Sequence, residues 1–254
     1  MSLDVVFGIH AVEALLKNNR HGITEMVLLK GRHDKRLSRL VKQAKGIPFR
    51  QVNRKELDSI ANSQSHQGVI AYANVSSEEA QGRIINENEM PSFLESLKGT
   101  ALILLLDGVT DPHNFGACLR SADAAGVDLV ITPKDRSVGL TSSVRKVACG
   151  AAETMPICQV TNLVRAMETL KEAGIWIAGA AGEAEDSVYS IDLKGPMAIV
   201  MGAEGAGLRR LTREKCDYLM KLPMAGEVSS LNVSVATGIC LYEVVRQRQQ
   251  KLKI

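Results

Sequence analysis

The sequence predicts an α/β protein in two units: a small N-terminal α/β domain and a larger C-terminal domain on a mostly parallel sheet. Three observations carry this. From residue 99 onward, near-continuous apolar runs such as 101–106 alternate with amphipathic stretches, the pattern of parallel strands covered on both faces by helices. The chain has 254 residues, 45% of them apolar, enough for one or two cores. A polar, acidic stretch at 76–98, with Gly82 and Pro91, reads as a linker between 1–75 and 99–254, with a helix the alternative for its end.

In the first unit, residues 8–18 place Val12, Leu15 and Leu16 on one helical face. A strand follows at 25–30. Residues 34–45 form an amphipathic helix, with Leu37, Leu40, Val41 and Ala44 on one side and Lys35, Arg39 and Lys42 on the other. Residues 47–52 are extended, and Pro48 favours a sheet edge. Asn53 caps the next helix with Glu56 three residues on. A strand at 68–75 closes the unit.

In the second unit the expected strands are 101–106, 127–132, 155–160 (weaker), 175–180, 197–202 and 218–222. The expected helices are 115–125, 140–148, 161–173, 207–216 and 232–249.

Residues 1–75 carry 12 Lys/Arg against 6 Asp/Glu, and the remainder 19 against 22. A basic N-terminal unit fits either a polyanion partner or a solvated lysine-rich face. The five cysteines form no C-x-x-C pair, which suggests buried thiols in a reducing cytoplasm. No run is long enough to span a bilayer, and no basic-then-apolar leader opens the chain, so membrane insertion and secretion are not expected. The five histidines show no metal-ligand spacing, so no metal is expected. The glycine fingerprint of a dinucleotide site is missing after the first long strand, where DGVTDPHNFG follows Leu106. That removes the nicotinamide-dependent dehydrogenases.

Three segments at strand ends of the second unit stand out. In 111–120, Asn114 is placed to cap a helix beginning near Phe115, and Arg120 sits among small apolar residues. Taken alone, an ordinary N-cap and a snorkelling arginine explain it better. In 201–208, three glycines surround Glu204, which suits close backbone approach to a ligand or simply a tight turn. In 222–236, Ser229, Ser230 and Asn232 are cap candidates for a small, apolar helix. Three such loops at strand carboxyl ends together suggest the ligand crevice of an α/β sheet.

These segments resemble the SpoU family of RNA ribose 2′-O-methyltransferases, in the SPOUT superfamily. N-x-G-x-x-x-R matches Asn114, Gly116 and Arg120; G-x-E-x-x-G matches Gly202, Glu204 and Gly207; P-M-x-G with S-L-N-V-S-V-A spans 223–236. G-I-H-A-V at 8–12 and H-Q-G at 66–68 are similar to the family's substrate-binding domain. The wording is nearest to members that methylate a guanosine ribose in 23S ribosomal RNA. The resemblance implies a catalytic domain with a deep trefoil knot, a homodimer, and S-adenosylmethionine bound in a bent shape. It implies cofactor contacts from Gly202, Leu222 and Leu231, with Met224, Ala180 and Ala181 nearby. It also implies that the N-terminal unit, like small ribosomal-protein-like domains, holds RNA; its candidate contacts are Lys35, Arg39 and Lys42.

Methyl transfer from a sulfonium is an in-line displacement that needs a nucleophile and orientation. The ribose 2′-hydroxyl must lose its proton during attack. The family model gives that role to Arg120, although a free guanidinium holds its proton at neutral pH. Arg120 is therefore expected to contact the 2′-oxygen and the adjacent phosphate, acting as base only with substrate bound. Asn114, Glu204, Ser230 and Asn232 would position the ribose and Arg120. A transfer RNA ribose is the competing target, and a non-catalytic ribosome-assembly protein the competing class.

Overall fold

A computed structural model describes residues 4–18, 20–32, 34–64, 66–73 and 83–249. The chain divides into two compact units: residues 1–83 with 145–154, and residues 84–144 with 155–254.

In the first unit the elements are β1 (Asp4–Phe7), α1 (Ile9–Asn18), β2 (Ile23–Leu29), α2 (Lys35–Gln43), β3 (Phe49–Val52), α3 (Arg54–Ala61) and β4 (Val69–Ala73). Positions 74 and 75 of the expected last strand, and 76–82 of the expected linker, lie outside the described residues. The strands form one sheet in the order β1-β4-β2-β3, with β2 and β3 parallel and β4 antiparallel to both its neighbours. One face packs Met26 and Leu28 against Val12, Leu15, Leu37 and Leu40. The other packs Val27 and Ile70 against Val52, Leu57 and Ala61. Asp34 caps α2 by accepting from the N–H groups of Arg36 and Leu37 at 3.0 and 2.9 Å, and Asn53 caps α3 through the Glu56 N–H at 3.0 Å. The H-Q-G residues are structural fasteners within this unit. The Gly68 N–H donates to His66 Nδ1, His66 Nε2 lies 2.8 Å from Asp58, and Gln67 Oε1 accepts from the Ile9 N–H. These bonds tie the start of β4 to α3 and to the G-I-H segment.

The second unit opens earlier than a linker over 76–98 would allow. Residues 83–98 contain β5 (Arg83–Ile85), a 3-10 turn and α4 (Met90–Ser96), whose Met90 and Leu94 enter the larger core. Then come β6 (Leu102–Asp107), α5 (Pro112–Ala125), β7 (Leu129–Pro133), α6 (Ser142–Ala148), and α7 (Ala151–Thr154), which belongs to the first unit. After them run β8 (Pro156–Val160), α8 (Leu163–Glu172), β9 (Trp176–Ala180), β10 (Met197–Gly202), α9 (Arg210–Lys215), β11 (Tyr218–Met220) and α10 (Val233–Gln249). The sheet order is β11-β9-β10-β6-β7-β8-β5, and the pairings from β11 through to β8 are parallel. Every residue of β6 is buried, as its unbroken apolar run requires at the sheet centre. Ile103 and Leu105 face a core shared with α4 and α8, and α5 and α10 pack on each other.

The chain end is held by polar bonds as well as packing. Buried Gln247 accepts from the Leu193 N–H at 2.8 Å and donates to the Ile191 carbonyl at 3.0 Å. Arg248 donates to the carbonyls of Thr100, Ala101 and Gly195 at 2.8–2.9 Å. Segment 181–196 thus lies against α10, and its Ser187 also bridges to Lys221. No helix among the described residues is long and apolar enough to cross a membrane.

Because Gln247 satisfies a buried donor and a buried acceptor, Gln247→Leu should lower the unfolding free energy by about 2–4 kcal/mol, the penalty for stranding both. Denaturant unfolding measures this, and an unchanged midpoint would show that water replaces the amide.

Candidate active site

The site is built where β6 and β10 end side by side, with Gly202 in register with Asp107. Beyond β6 the chain turns into α5. Asn114 is not the cap of this helix. Asp111 is, accepting from the Asn114 N–H at 2.8 Å, and Pro112 occupies the first turn, where its missing N–H costs nothing. The helix therefore begins three residues before the position expected from Asn114, and the Asn114 side chain is released for another use.

Beyond β10 the chain folds back on itself. The Ala203 N–H donates to the Gly207 carbonyl at 3.1 Å, and the Gly207 N–H returns a bond to the Ala203 carbonyl at 2.9 Å. A Cβ on Gly202 would lie 2.2 Å from the Gly207 carbonyl carbon, so only glycine fits. Gly207 itself has φ +64°, a left-handed value that side chains disfavour. Glu204 stands at the tip of this loop.

The third segment meets the first two there. Asn114 Nδ2 donates to Glu204 Oε1 at 2.8 Å, and Asn232 Nδ2 donates to the same oxygen at 2.9 Å. Asn232 Nδ2 also lies 2.9 Å from Asn114 Oδ1. Residues 90 and 118 positions apart from Asn114 are thus joined in one network. Asn232 caps α10 as expected, its Oδ1 accepting from the N–H and the hydroxyl of Ser234 at 3.0 and 2.6 Å. Those two bonds fix which way the amide points: its NH₂ must face Glu204. Both amides use the same oxygen, Oε1, and neither donates to Oε2 in these bonds.

Beside the network lies a cavity of about 700 Å³, within the usual range for small-molecule sites. Its walls include Gly202, Leu222, Leu231, Met224, Ala180 and Ala181, all six residues expected near a cofactor, together with Glu204, Ser230 and Asn232. Arg120 is not among the walls. It is an exposed residue of α5, six positions beyond Asn114 and on a different side of the helix. Lys35, Arg39 and Lys42 are exposed on α2 in the first unit.

Three features escape sequence reading. Asp107 is fully buried, and its carboxylate accepts from the Arg209 N–H at 3.0 Å and from Arg209 Nε at 2.5 Å, with a further ion pair to Arg209 Nη2. The signal was there: a carboxylate ending an otherwise apolar strand. Glu183 and Arg213, both cavity walls, pair at 2.7 Å. Ser234, inside the S-L-N-V-S-V-A run, orients Asn232. The cysteines near the site are spectators. Burial pushes the Cys118 thiol up to about 11 and the Cys240 thiol up to about 12, too high to supply a thiolate near neutral pH.

A mostly parallel sheet with three loops at one end, joined by an Asn–Glu–Asn network beside a cavity, defines an α/β protein with a preformed small-molecule site. The model of the SpoU rRNA methylase family matches residues 101–242, and that of the RNA 2′-O ribose methyltransferase substrate-binding domain matches residues 5–78. The chain belongs to the SpoU rRNA methylase family. It is 57% identical to the 23S rRNA (guanosine-2′-O-)-methyltransferase RlmB of Shewanella oneidensis over 97% of this chain and 98% of that protein. Its identity to the RlmB of Escherichia coli (strain K12) is 53%, over 96% and 99% of the two chains. The crystal structure of an RNA 2′-O ribose methyltransferase superposes with a TM-score of 0.78 at 26% identity, covering 97% of this chain and 89% of that one. AviRb from Streptomyces viridochromogenes, solved with AdoMet, shares the fold at TM-score 0.71 and 22% identity, over 98% and 91% of the chains.

Gly202→Ala should force Gly207 and Leu208 apart from the strand end and lower the unfolding free energy by about 1–3 kcal/mol. Hydrogen exchange should show the Ala203 and Gly207 amides losing protection. Retained protection with unchanged stability would mean that the loop does not depend on this close approach.

Proposed function

We propose that this chain transfers a methyl group from S-adenosylmethionine to the 2′-oxygen of a guanosine ribose in 23S ribosomal RNA. The single observation that carries it is the Asn114–Glu204–Asn232 network at the rim of the cavity, in a chain 57% identical to a 23S rRNA (guanosine-2′-O-)-methyltransferase. Residues 84–144 with 155–254 then form the catalytic domain, and residues 1–83 with 145–154 the RNA-binding domain.

The cavity suits the donor. Main-chain groups of Gly202, Leu222 and Leu231 would hold its polar parts, and Met224 and Leu231 supply apolar surface. S-adenosylmethionine would supply the methyl carbon, which the ribose 2′-oxygen attacks in line with the C–S bond, so that an O–C bond forms as the C–S bond breaks and the neutral thioether S-adenosylhomocysteine leaves. The chain contributes position and charge. Glu204 takes both amide donors on one oxygen, so its other oxygen can accept from the ribose. Asn114 and Asn232 hold that carboxylate still, which reduces reorganisation as the hydroxyl proton leaves. Ser230, another wall of the cavity, would help orient the ribose. Arg120 stands outside the cavity walls, so as base it would meet the 2′-oxygen and its phosphate only once bound RNA spans the rim.

A homodimer completes the reading. On α10, Val235 and Tyr242 are 50% and 51% exposed, and Gly238 and Ile239 between them are half-buried. At helical spacing these positions make one apolar stripe, suited to a second copy of the chain. Sedimentation at micromolar concentration should give a dimer, and Tyr242→Glu should shift it toward monomer. A fully active monomer would remove this part of the reading.

The main test uses unmodified 23S ribosomal RNA and bulk transfer RNA with labelled S-adenosylmethionine, followed by nucleoside analysis. Label should appear as 2′-O-methylguanosine in the ribosomal RNA; label only in transfer RNA would favour the competing target. Arg120→Ala should keep folding and cofactor affinity but lower single-turnover rate at least ~100-fold, the lower range for loss of an acid–base or electrostatic group. Arg120→Lys should not rescue it, because an ammonium lacks the planar fork. A near-normal rate with only a raised RNA requirement would make Arg120 a phosphate anchor and move the base to Glu204.

A further inference from the structure

We propose that the edge strand β3 presents Phe49 as a stacking platform for an unpaired base of the RNA, beside the cationic face of α2. This rests on the reading of RNA as substrate and adds which surface of the first unit takes it and in what form.

Phe49 is 53% exposed on the outermost strand of its sheet. Most large apolar side chains of this unit enter its two cores, so an aromatic ring left half in water lacks an internal role. Its position is fixed by the register. Phe49 pairs with Met26 and Gln51 with Leu28, and partners in a parallel ladder share a face. Phe49 therefore stands on the face that α1 and α2 cover at Met26 and Leu28, at the rim where their cover ends.

The backbone that carries the ring is also held in place. The turn leading to it is pinned by the Ile47 N–H on the Ala44 carbonyl at 3.0 Å and by the Met26 N–H on the Pro48 carbonyl at 2.9 Å. Arg20 donates to the Gln43 carbonyl at 2.6 Å and also to the Lys45 carbonyl. A ring on a pinned turn loses little freedom when it stacks.

The surrounding charge points to a nucleic acid. Residues 30–55 hold ten Lys/Arg and one acidic residue, Asp34. Asp34 is already engaged, paired with Arg32 at 2.5 Å and capping α2; the Leu37 N–H and Arg32 hold its carboxyl below the usual range. On the opposite face Arg50 is compensated by Glu25 at 3.2 Å and Glu56 at 3.0 Å. On the Phe49 side, no ion pair among the described residues involves Lys35, Arg39 or Lys42. Cations that track phosphates next to one exposed ring form the usual platform for single strands. A duplex keeps its base faces inside the stack, so the ring has no use on paired RNA.

The test compares a short single-stranded oligoribonucleotide with its blunt duplex, using the full chain. Phe49→Ala should bind the single strand about tenfold more weakly and the duplex unchanged. The slope of log affinity against log salt should stay the same, because stacking releases no counterions. Phe49→Tyr should restore binding. Reversing Lys35, Arg39 and Lys42 to Glu should weaken both ligands and flatten the slope. Unchanged single-strand affinity of Phe49→Ala, or a loss that Phe49→Tyr leaves in place, overturns the proposal. Phe49-dependent binding without methyl transfer to 23S ribosomal RNA by the unaltered chain would count against the reaction and leave this surface standing. No RNA binding by the unaltered chain overturns both.

Discussion

The buried carboxylate of Asp107 is the constraint on which the rest of the second unit turns. Placing a carboxylate at the end of the central strand, out of reach of water, costs several kcal/mol unless a partner meets it. Arg209 does so with its main-chain N–H and its guanidinium. That contact fixes Arg209, the residue that follows the 203–208 loop, against the strand beside the one the loop left. With both ends anchored, the loop has one way to close, through the paired Ala203–Gly207 bonds. Glu204 is then delivered to Asn114 and Asn232. An ion pair with one buried partner is weak evidence of stability; what this one holds in position is the end of the loop.

The same logic governs how three distant segments form one site. Strand carboxyl ends in a parallel sheet all emerge on one edge, so segments far apart in sequence arrive together without long excursions. What remains is fine placement. Asp111 and Pro112 start α5 early enough to bring Asn114 over the loop. Ser234 turns the Asn232 amide toward Glu204. The bonds of Gln247 and Arg248 to segment 191–195 and to residues 100–101 hold α10 at its far end. A small cap change at one end of α10 and a polar clamp at the other thus set the position of one amide.

Much of this was legible in the sequence. The unbroken apolar runs located the central strands, because a strand buried on both faces has no alternation to blur it. The motifs located the cavity walls, because close backbone approach demands glycine. Other features were hidden for physical reasons. Asn114 looks like a cap because asparagine at a helix start usually is one, and Asp111, three residues earlier, competes for the same duty with a better neighbour in Pro112. Arg120 reads as aimed into the crevice from its apolar flanks, yet helical geometry turns it to a different side from Asn114. Residues 83–98 read as linker because they are polar, although Met90 and Leu94 are enough to seat α4 in the core. Residues 145–154 group with the first unit, which no local pattern announces.

Charge explains why such a chain carries two units at all. Residues 76–254 hold more acidic than basic residues, so the catalytic part has little long-range attraction for a polyanion. Adding lysines around the network would strengthen RNA binding in the ground state and the transition state alike, which speeds no chemical step. It would also pull on Glu204, whose carboxylate must stay oriented by two neutral amides. Confining the excess cations to residues 30–55 leaves the Glu204 carboxylate oriented by the hydrogen bonds of two neutral amides. Affinity is then a property of one core and orientation a property of the other, and each can tighten without disturbing its counterpart.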